Sequence, residues 1–410
     1  MDTAAFINHP EVVNIVEDLS TKIKGKIFSD TIDEKGNQYI DLVQEGGGVL
    51  GVALLGYTYV LEQMGIRFFS LGGTSAGAIN TLLLGSLGKI DELKTEKILE
   101  ILANKNLFDL VDGPSNVRRF IKSVINNSWT GFKVLWGISV IPHFLKNNGL
   151  NPGDNFLGWI TGILQSNGIQ TTDDLLKLRT KPDGLKLRSG IEGNVDDLIP
   201  KLKIITADIT TESRIIFPEM NILYWDDPMK IVPAVYVRTS MSIPGFFYPY
   251  KVKVGKKVKK EDWENVVMFE GDVPEETCFV DGGVMSNFPI DVFHNRNRIP
   301  RLPTFGIKLG DDRNKANEFG TLAPFLMAVF NSARHLMDYQ FLLQNEDYEK
   351  LISKIDVGKH NWLNFSIKDE DKIDLFIRGA KTAKDFLINF NWEGYKDIRK
   401  QLIIRKGSNQ

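Results

Sequence analysis

Arg67-Phe68-Phe69-Ser70-Leu71-Gly72-Gly73-Thr74-Ser75-Ala76-Gly77 is the stretch on which the fold turns. Its first five residues form a mostly apolar run of strand length. Its end crowds small residues around one serine, before a helical pattern that lasts through Leu84. Gly73 to Gly77 matches G-x-S-x-G, and a strand feeding a helix through that motif is a nucleophile elbow. The sharp turn holds the serine in a strained backbone conformation, and the flanking glycines admit neighbouring chain at close range. The helix that begins there points its positive dipole end at the hydroxyl. Taken alone, the pentapeptide is equally a glycine-rich turn whose serine caps a helix. The strand before it and the helix after it favour the elbow.

Working back toward the N-terminus, Tyr39-Ile40-Asp41-Leu42-Val43 reads as a buried strand ending at Gly46-Gly47-Gly48. Val49 to Gln63 suits a helix, which Gly65 stops. Two strand–turn–helix units in succession predict a parallel sheet covered by helices. The turn Glu45-Gly46-Gly47-Gly48-Val49-Leu50-Gly51 also satisfies G-x-G-x-x-G, the fingerprint of a dinucleotide-binding module. Such a module needs an acid at the end of its second strand to hold the ribose. Here that place holds Ser75. Glycine amides at a helix N-terminus serve an oxyanion hole equally well, each donor being worth about 3 kcal/mol.

Working forward, residues 90–200 read as helix and loop, an insertion or cap. Strand character returns at Leu202 to Ala207, Arg214 to Phe217, Cys278 to Val280 and Thr304 to Ile307. After residue 311 the pattern is helical to the end. The expected organisation is a helical arm over 1–37, an α/β catalytic domain over 38–310 and a helical C-terminal extension over 311–410. Val280-Asp281-Gly282-Gly283 sets an aspartate at a strand end before glycines. By itself that is an ordinary turn aspartate. Three such turns at strand C-termini mark the edge where open α/β sheets place their sites.

In the order G-G-G-x-x-G, G-T-S-A-G, D-G-G, these motifs resemble the patatin-like phospholipases, with the likeness covering roughly residues 40 to 310. Arg238-Thr239-Ser240-Met241-Ser242-Ile243-Pro244-Gly245-Phe246-Phe247 and Thr206-Ala207-Asp208 look like two softer segments of that family. The resemblance implies a three-layer α/β/α fold with a mostly parallel central sheet. It implies Ser75 as nucleophile and Asp281 as base of a Ser–Asp dyad, with Gly46, Gly47 and Gly48 as oxyanion hole and Gly51, Gly73, Gly77, Gly282 and Gly283 in support. Lipid acyl esters would be the substrate, as for a phospholipase A or lysophospholipase. Many family members carry Arg or Lys where this chain has Leu50, which puts in doubt the strength of the oxyanion hole and any preference for anionic headgroups.

The alternatives are a soluble carboxylesterase or thioesterase with the same dyad, an inactive binding protein on the same scaffold, and the dinucleotide module. The order Ser75, Asp281, His294 also allows a histidine triad. His9, His143, His335 and His360 read as solvated or structural. No cofactor and no metal are expected, since no cluster shows metal-ligand spacing.

Composition bounds the rest. The 410 residues carry 50 Lys+Arg against 52 Asp+Glu, which gives no cationic excess for nucleic acid. The single cysteine, Cys278, allows no disulfide within the chain. Met1 to Phe6 has no basic region before an apolar run, so we expect no signal peptide and a cytoplasmic protein in peripheral contact with membranes. Trp129, Phe132, Val134, Leu135, Trp136, Ile138, Val140 and Ile141 form a tract that reads as a packed helix, or as a mobile cap or interfacial anchor, and the apolar run Phe132 to Leu145 is broken at Pro142. Lys251 to Lys260 alternates like a hairpin turning near Gly255. The C-terminal extension is a candidate surface for homo-oligomerisation.

Overall fold

Residues 2–125, 130–295, 297–310, 316, 319–320 and 322–407 are described by a computed structural model. Among them, ten strands form one sheet. Its main strands are Gln38–Gln44 (β1), Ile66–Thr74 (β2), Leu202–Asp208 (β3), Ser213–Phe217 (β4), Tyr250–Lys253 (β5), Glu276–Asp281 (β6), Thr304–Leu309 (β7) and Ile352–Ile355 (β8). The order is β8-β7-β1-β2-β3-β6-β5, with β4 also paired to β3. The first five in that order are parallel, and β4, β6 and β5 join through antiparallel pairings. All 9 residues of β2 are buried. Side chains alternate between the two faces of a strand, so helices cover the sheet on both sides. The architecture is α/β/α.

The strand that ends at Asp281 departs from the expected geometry. β6 runs antiparallel to β3, with Asp281 opposite Thr206, while parallel β2 sets Thr74 opposite Ile205. Asp281 therefore reaches the level of Ser75 from the other direction. The rule that sites lie at C-terminal strand edges covers the glycine turn and the elbow. For Asp281, register does the placing.

The C-terminal segment is more than helical. Between its helices Leu322–Gln344 and Asp369–Asn389 it supplies β8, which extends the sheet parallel to β7. Gly56 and Gly379 bring the helices Gly51–Gln63 and Asp369–Asn389 into backbone contact. A Cβ on either glycine would strike a carbonyl of the other helix, Phe376 O or Ala53 O. The N-terminal helix Pro10–Lys22 packs on the same C-terminal helix through the Glu11–Lys381 and Asp18–Lys384 pairs.

Two local expectations are revised. Lys251–Lys260 forms no hairpin: β5 is followed by helix Lys260–Val267, and its partner is β6. Glu261 and Asp262 suit that helix's first turn, and Trp263 is fully buried. Helix Thr130–Asn147 continues through Pro142. On it Val140 is buried, Ile138 and Ile141 are exposed, and Trp129, Phe132, Val134, Leu135 and Trp136 lie outside the described side chains. No helix of the described residues is long and apolar enough to cross a membrane.

Candidate active site

Ser75 sits between β2 and helix Ala76–Ser86 with φ 51° and ψ −116°, a strained conformation for a residue bearing a Cβ. The turn holds because other chain locks it. Ser75 N–H donates to Ser240 Oγ at 2.9 Å, and Ser240 Oγ donates to Ile205 O at 2.6 Å. One residue earlier, Thr74 Oγ1 donates to Ser286 O at 3.0 Å. Gly77 has no room for a side chain, because its Cβ would strike Gln44 O at the end of β1. The elbow is thus pressed against the strand that carries the glycine turn.

Asp281 is 5% exposed and lies beside this elbow. Its N–H donates to Ser242 O at 2.9 Å, and its Oδ1 accepts Gly283 N–H at 2.7 Å. Burial pushes its carboxyl up to about 6, opposed by the hydrogen bond from the Ser75 side chain, by Gly283 N–H and by the Arg334 charge. Removal from water disfavours the carboxylate, and donors and a nearby cation partly restore it. A base in that range is ionised near neutral pH and still able to take a proton.

The glycine turn is held by a buried polar cluster. Glu45, 1% exposed, accepts Leu309 N–H at 2.6 Å and Asn287 Nδ2 at 3.1 Å, with Lys308 Nζ at 3.7 Å. Asn287 Nδ2 also reaches Gly46 O at 3.2 Å, and Gly46 N–H donates to Asn287 O at 3.0 Å. The amide of Gly46 is thereby committed within the protein. Gly47 and Gly48 are left as candidate oxyanion donors. Gly48 has φ 55°, and Val49 N–H beyond it donates to Trp362 O at 3.0 Å.

Ser75 stands where two cavities meet. One is a gallery with walls of Val52, Leu55, Ile98, Leu102, Leu107, Phe156, Trp159 and other apolar residues. The other is a small polar chamber lined by Gly46, Gly47, Gly48, Asp281, Gly283, Asn287, Arg334 and Trp362. Gly48, Ser75 and Ile243 line both. Gly51 belongs to the gallery, Gly283 to the chamber, and Gly73, Gly77 and Gly282 to the packing beneath. The 90–200 region does supply gallery wall, through Ile98, Leu102, Leu107, Leu110, Phe156 and Trp159.

His294 is placed elsewhere. Its Nδ1 meets Tyr348 OH at 2.9 Å, and it lines a separate cavity with Asp41, Tyr395 and Arg399. No described histidine lines the gallery or the chamber. His143 bonds Tyr248, and His360 bonds Asp374. Asp208 accepts from Tyr224 OH and Thr210 N–H, a structural role away from Ser75. Among the described residues, no group of three or more His, Cys, Asp or Glu side chains is placed to hold a metal ion.

Several site residues were not singled out from sequence. Ser240 and Ser242 fall within the quoted Arg238–Phe247 segment, but nothing in the pattern assigned them contacts, and Asn287, four residues after Gly283, carried no signal of its own. Arg238 braces the first segment by donating to Ser242 Oγ, Pro152 O and Tyr248 O. Arg334, Trp362 and Phe365 come from beyond residue 311 and carry no local signal.

The elbow serine, a buried carboxylate, an apolar gallery and a small glycine-rich chamber thus meet at one point of the fold. The chain belongs to the patatin-like phospholipase family, whose model matches residues 42–294, and at that level it is a lipid-hydrolysing enzyme. It is 28% identical over 352 residues to YqhO, an uncharacterised protein of Bacillus subtilis (strain 168), covering 85% of this chain and 98% of that one. The crystal structure of VipD from Legionella pneumophila aligns at TM-score 0.41 and 16% identity, over 88% of this chain and 70% of VipD.

Proposed function

We propose that the protein is a lipid acyl hydrolase of the phospholipase A or lysophospholipase type, working through a Ser75–Asp281 dyad. The observation that carries this is that the elbow serine Ser75 and the buried carboxylate of Asp281 line one small chamber, at the point where it opens into an apolar gallery. The acyl chain of the substrate lies in the gallery, and its carbonyl carbon faces Ser75 Oγ. Asp281 accepts the serine proton as Oγ attacks, and the oxyanion forms against the Gly47 and Gly48 amides. Collapse expels the alcohol, protonated by Asp281, and leaves an acyl-serine. Water then attacks as Asp281 takes its proton, and fatty acid departs as Ser75 Oγ recovers a proton. We place this chemistry in the cytoplasm, at the surface of a membrane that the chain touches without crossing.

The test is fatty-acid release from mixed phospholipid vesicles in the presence of a chelator. Wild type and His294→Ala should release fatty acid, while Ser75→Ala and Asp281→Asn should lose at least about a thousandfold. Loss in a folded His294→Ala protein would replace the dyad with a triad. No release from wild type, but cleavage of a short soluble ester, would move the substrate to soluble acyl esters.

A further inference from the structure

The gallery and the chamber divide any ester between them. Ser75 lies at their junction, so an ester whose acyl chain fills the gallery must direct its alcohol part toward the chamber or out past it. Charged groups are distributed unequally between the two. The described lining of the gallery has none, whereas the chamber has Asp281, assigned to proton transfer, and Arg334. Arg334 is the one cationic side chain among the described residues that line either cavity.

Arg334 belongs to helix Leu322–Gln344, outside the family-matched segment 42–294, and that helix is pinned to the loop following Asp281. Asn287 N–H donates to Arg334 O at 3.4 Å. One turn on, Asp338 accepts Ser286 Oγ and Phe288 N–H, each at 2.8 Å. Positions four apart share a helix face, so the contacts that hold Asp338 also fix Arg334 toward the chamber. A guanidinium stays charged across the working pH range, and its planar fork matches a phosphate's oxygens.

We propose that Arg334 determines specificity on the alcohol side of the site, binding the phosphodiester of a glycerophospholipid whose acyl chain occupies the gallery. This rests on the acyl-hydrolase reading above and adds which ester the enzyme prefers. Leu50 lies in the glycine turn itself and is buried and apolar, so it supplies no charge there. The C-terminal helix supplies it instead.

The test compares two substrates with the same acyl chain, lysophosphatidylglycerol and monoacylglycerol, each dispersed in the same nonionic detergent so that the interface is constant. The readout is the ratio of their kcat/KM values at about pH 8, where the dyad carboxylate is ionised. Wild type should favour the phospholipid. Arg334→Gln should lower the ratio at least about tenfold, and Arg334→Lys by about threefold, because a point charge replaces a bidentate fork. Should Arg334→Gln fail to fold, the Arg334→Lys ratio carries the test. Equal loss on both substrates, an unchanged ratio, or a wild type that prefers monoacylglycerol overturns the inference and leaves the hydrolase reading standing. Fatty-acid release that survives Ser75→Ala, or no release from either substrate, overturns that reading and the inference with it.

Discussion

The hydroxyl of Ser240 accepts the Ser75 N–H at 2.9 Å and donates onward to Ile205 O at 2.6 Å. Two residues later, Ser242 O accepts the N–H of Asp281. One short segment thus positions both members of the proposed dyad, and it ties them to the central strand β3. Nucleophile and base are fixed relative to each other by backbone and hydroxyl contacts that involve neither reactive side chain.

Ser240→Ala should therefore damage catalysis through position. It leaves a buried N–H and a buried carbonyl without the hydroxyl between them, at a cost of about 1–3 kcal/mol. We expect a lower melting temperature and a fall in kcat of roughly tenfold with little change in KM, since a small displacement of a reacting group is costly. Steady-state kinetics beside thermal denaturation checks this. A large KM effect with unchanged kcat would refute it.

The pH–rate profile should show an acid limb near pH 6. Burial raises Asp281 to about 6, and the base works only when ionised, so kcat/KM should rise with pH through that value. Stability runs the other way. A carboxyl raised in the folded state binds its proton more tightly there than in the unfolded chain, so Asp281 favours folding at low pH and loses that contribution as pH rises from about 4 to about 6. Arg334→Gln removes a charge that favours the carboxylate and should move the acid limb upward. A limb that stays in place would remove Arg334 from the base's surroundings.

Asp338 offers a second titration, away from the chemistry. Burial raises it to about 7, while Phe288 N–H, Ser286 Oγ and the Lys308 charge act in the opposite sense. Its folded-state value is the higher one, so it too favours folding at low pH and loses that effect between about 4 and 7. In Asp338→Asn the stability curve should flatten over that range by up to about 1.4 kcal/mol per pH unit, the slope of one proton. Denaturant melts at a series of pH values measure it, and an unaltered slope would show that Asp338 does not titrate there.

Gly48→Ala should disable the glycine turn. Gly48 has φ 55°, and a Cβ would strike Trp362 O, the carbonyl that anchors Val49 N–H. Left-handed backbone costs a non-glycine residue about 1–3 kcal/mol before the clash is counted. We expect loss of most activity together with reduced stability. Wild-type kcat in this variant would exclude Gly48 from oxyanion stabilisation.

Chain-length preference should follow the gallery walls. Leu107 is half-buried on that wall, so Leu107→Trp shortens the available space at a packing cost of about 1–3 kcal/mol. The expected result is a kcat/KM that drops for long-chain esters and holds for short ones, read from a homologous ester series. A uniform drop across the series would mean that the acyl chain lies elsewhere.

Much of this site was legible in the chain because its parts are local. The elbow, the glycine turn and Asp281-Gly282-Gly283 are each defined within a few residues by backbone demands: a strained serine φ, a left-handed glycine, a tight approach. Alternating strand and helix periods likewise placed a sheet under helices, as two-residue and 3.6-residue repeats do wherever one or both faces are buried. Other features were settled only by three-dimensional packing. That Asp281 meets Ser75 from an antiparallel strand depends on register with Thr206, set by partners far away in sequence. That Gly46 is spent on Asn287, that His294 turns to Tyr348, and that Arg334 and Trp362 arrive from the C-terminal segment are contacts between parts of the chain far apart in sequence. Short motifs record what the backbone must do locally. Which distant side chain fills the space beside them depends on how helices and strands pack, and no local pattern encodes that.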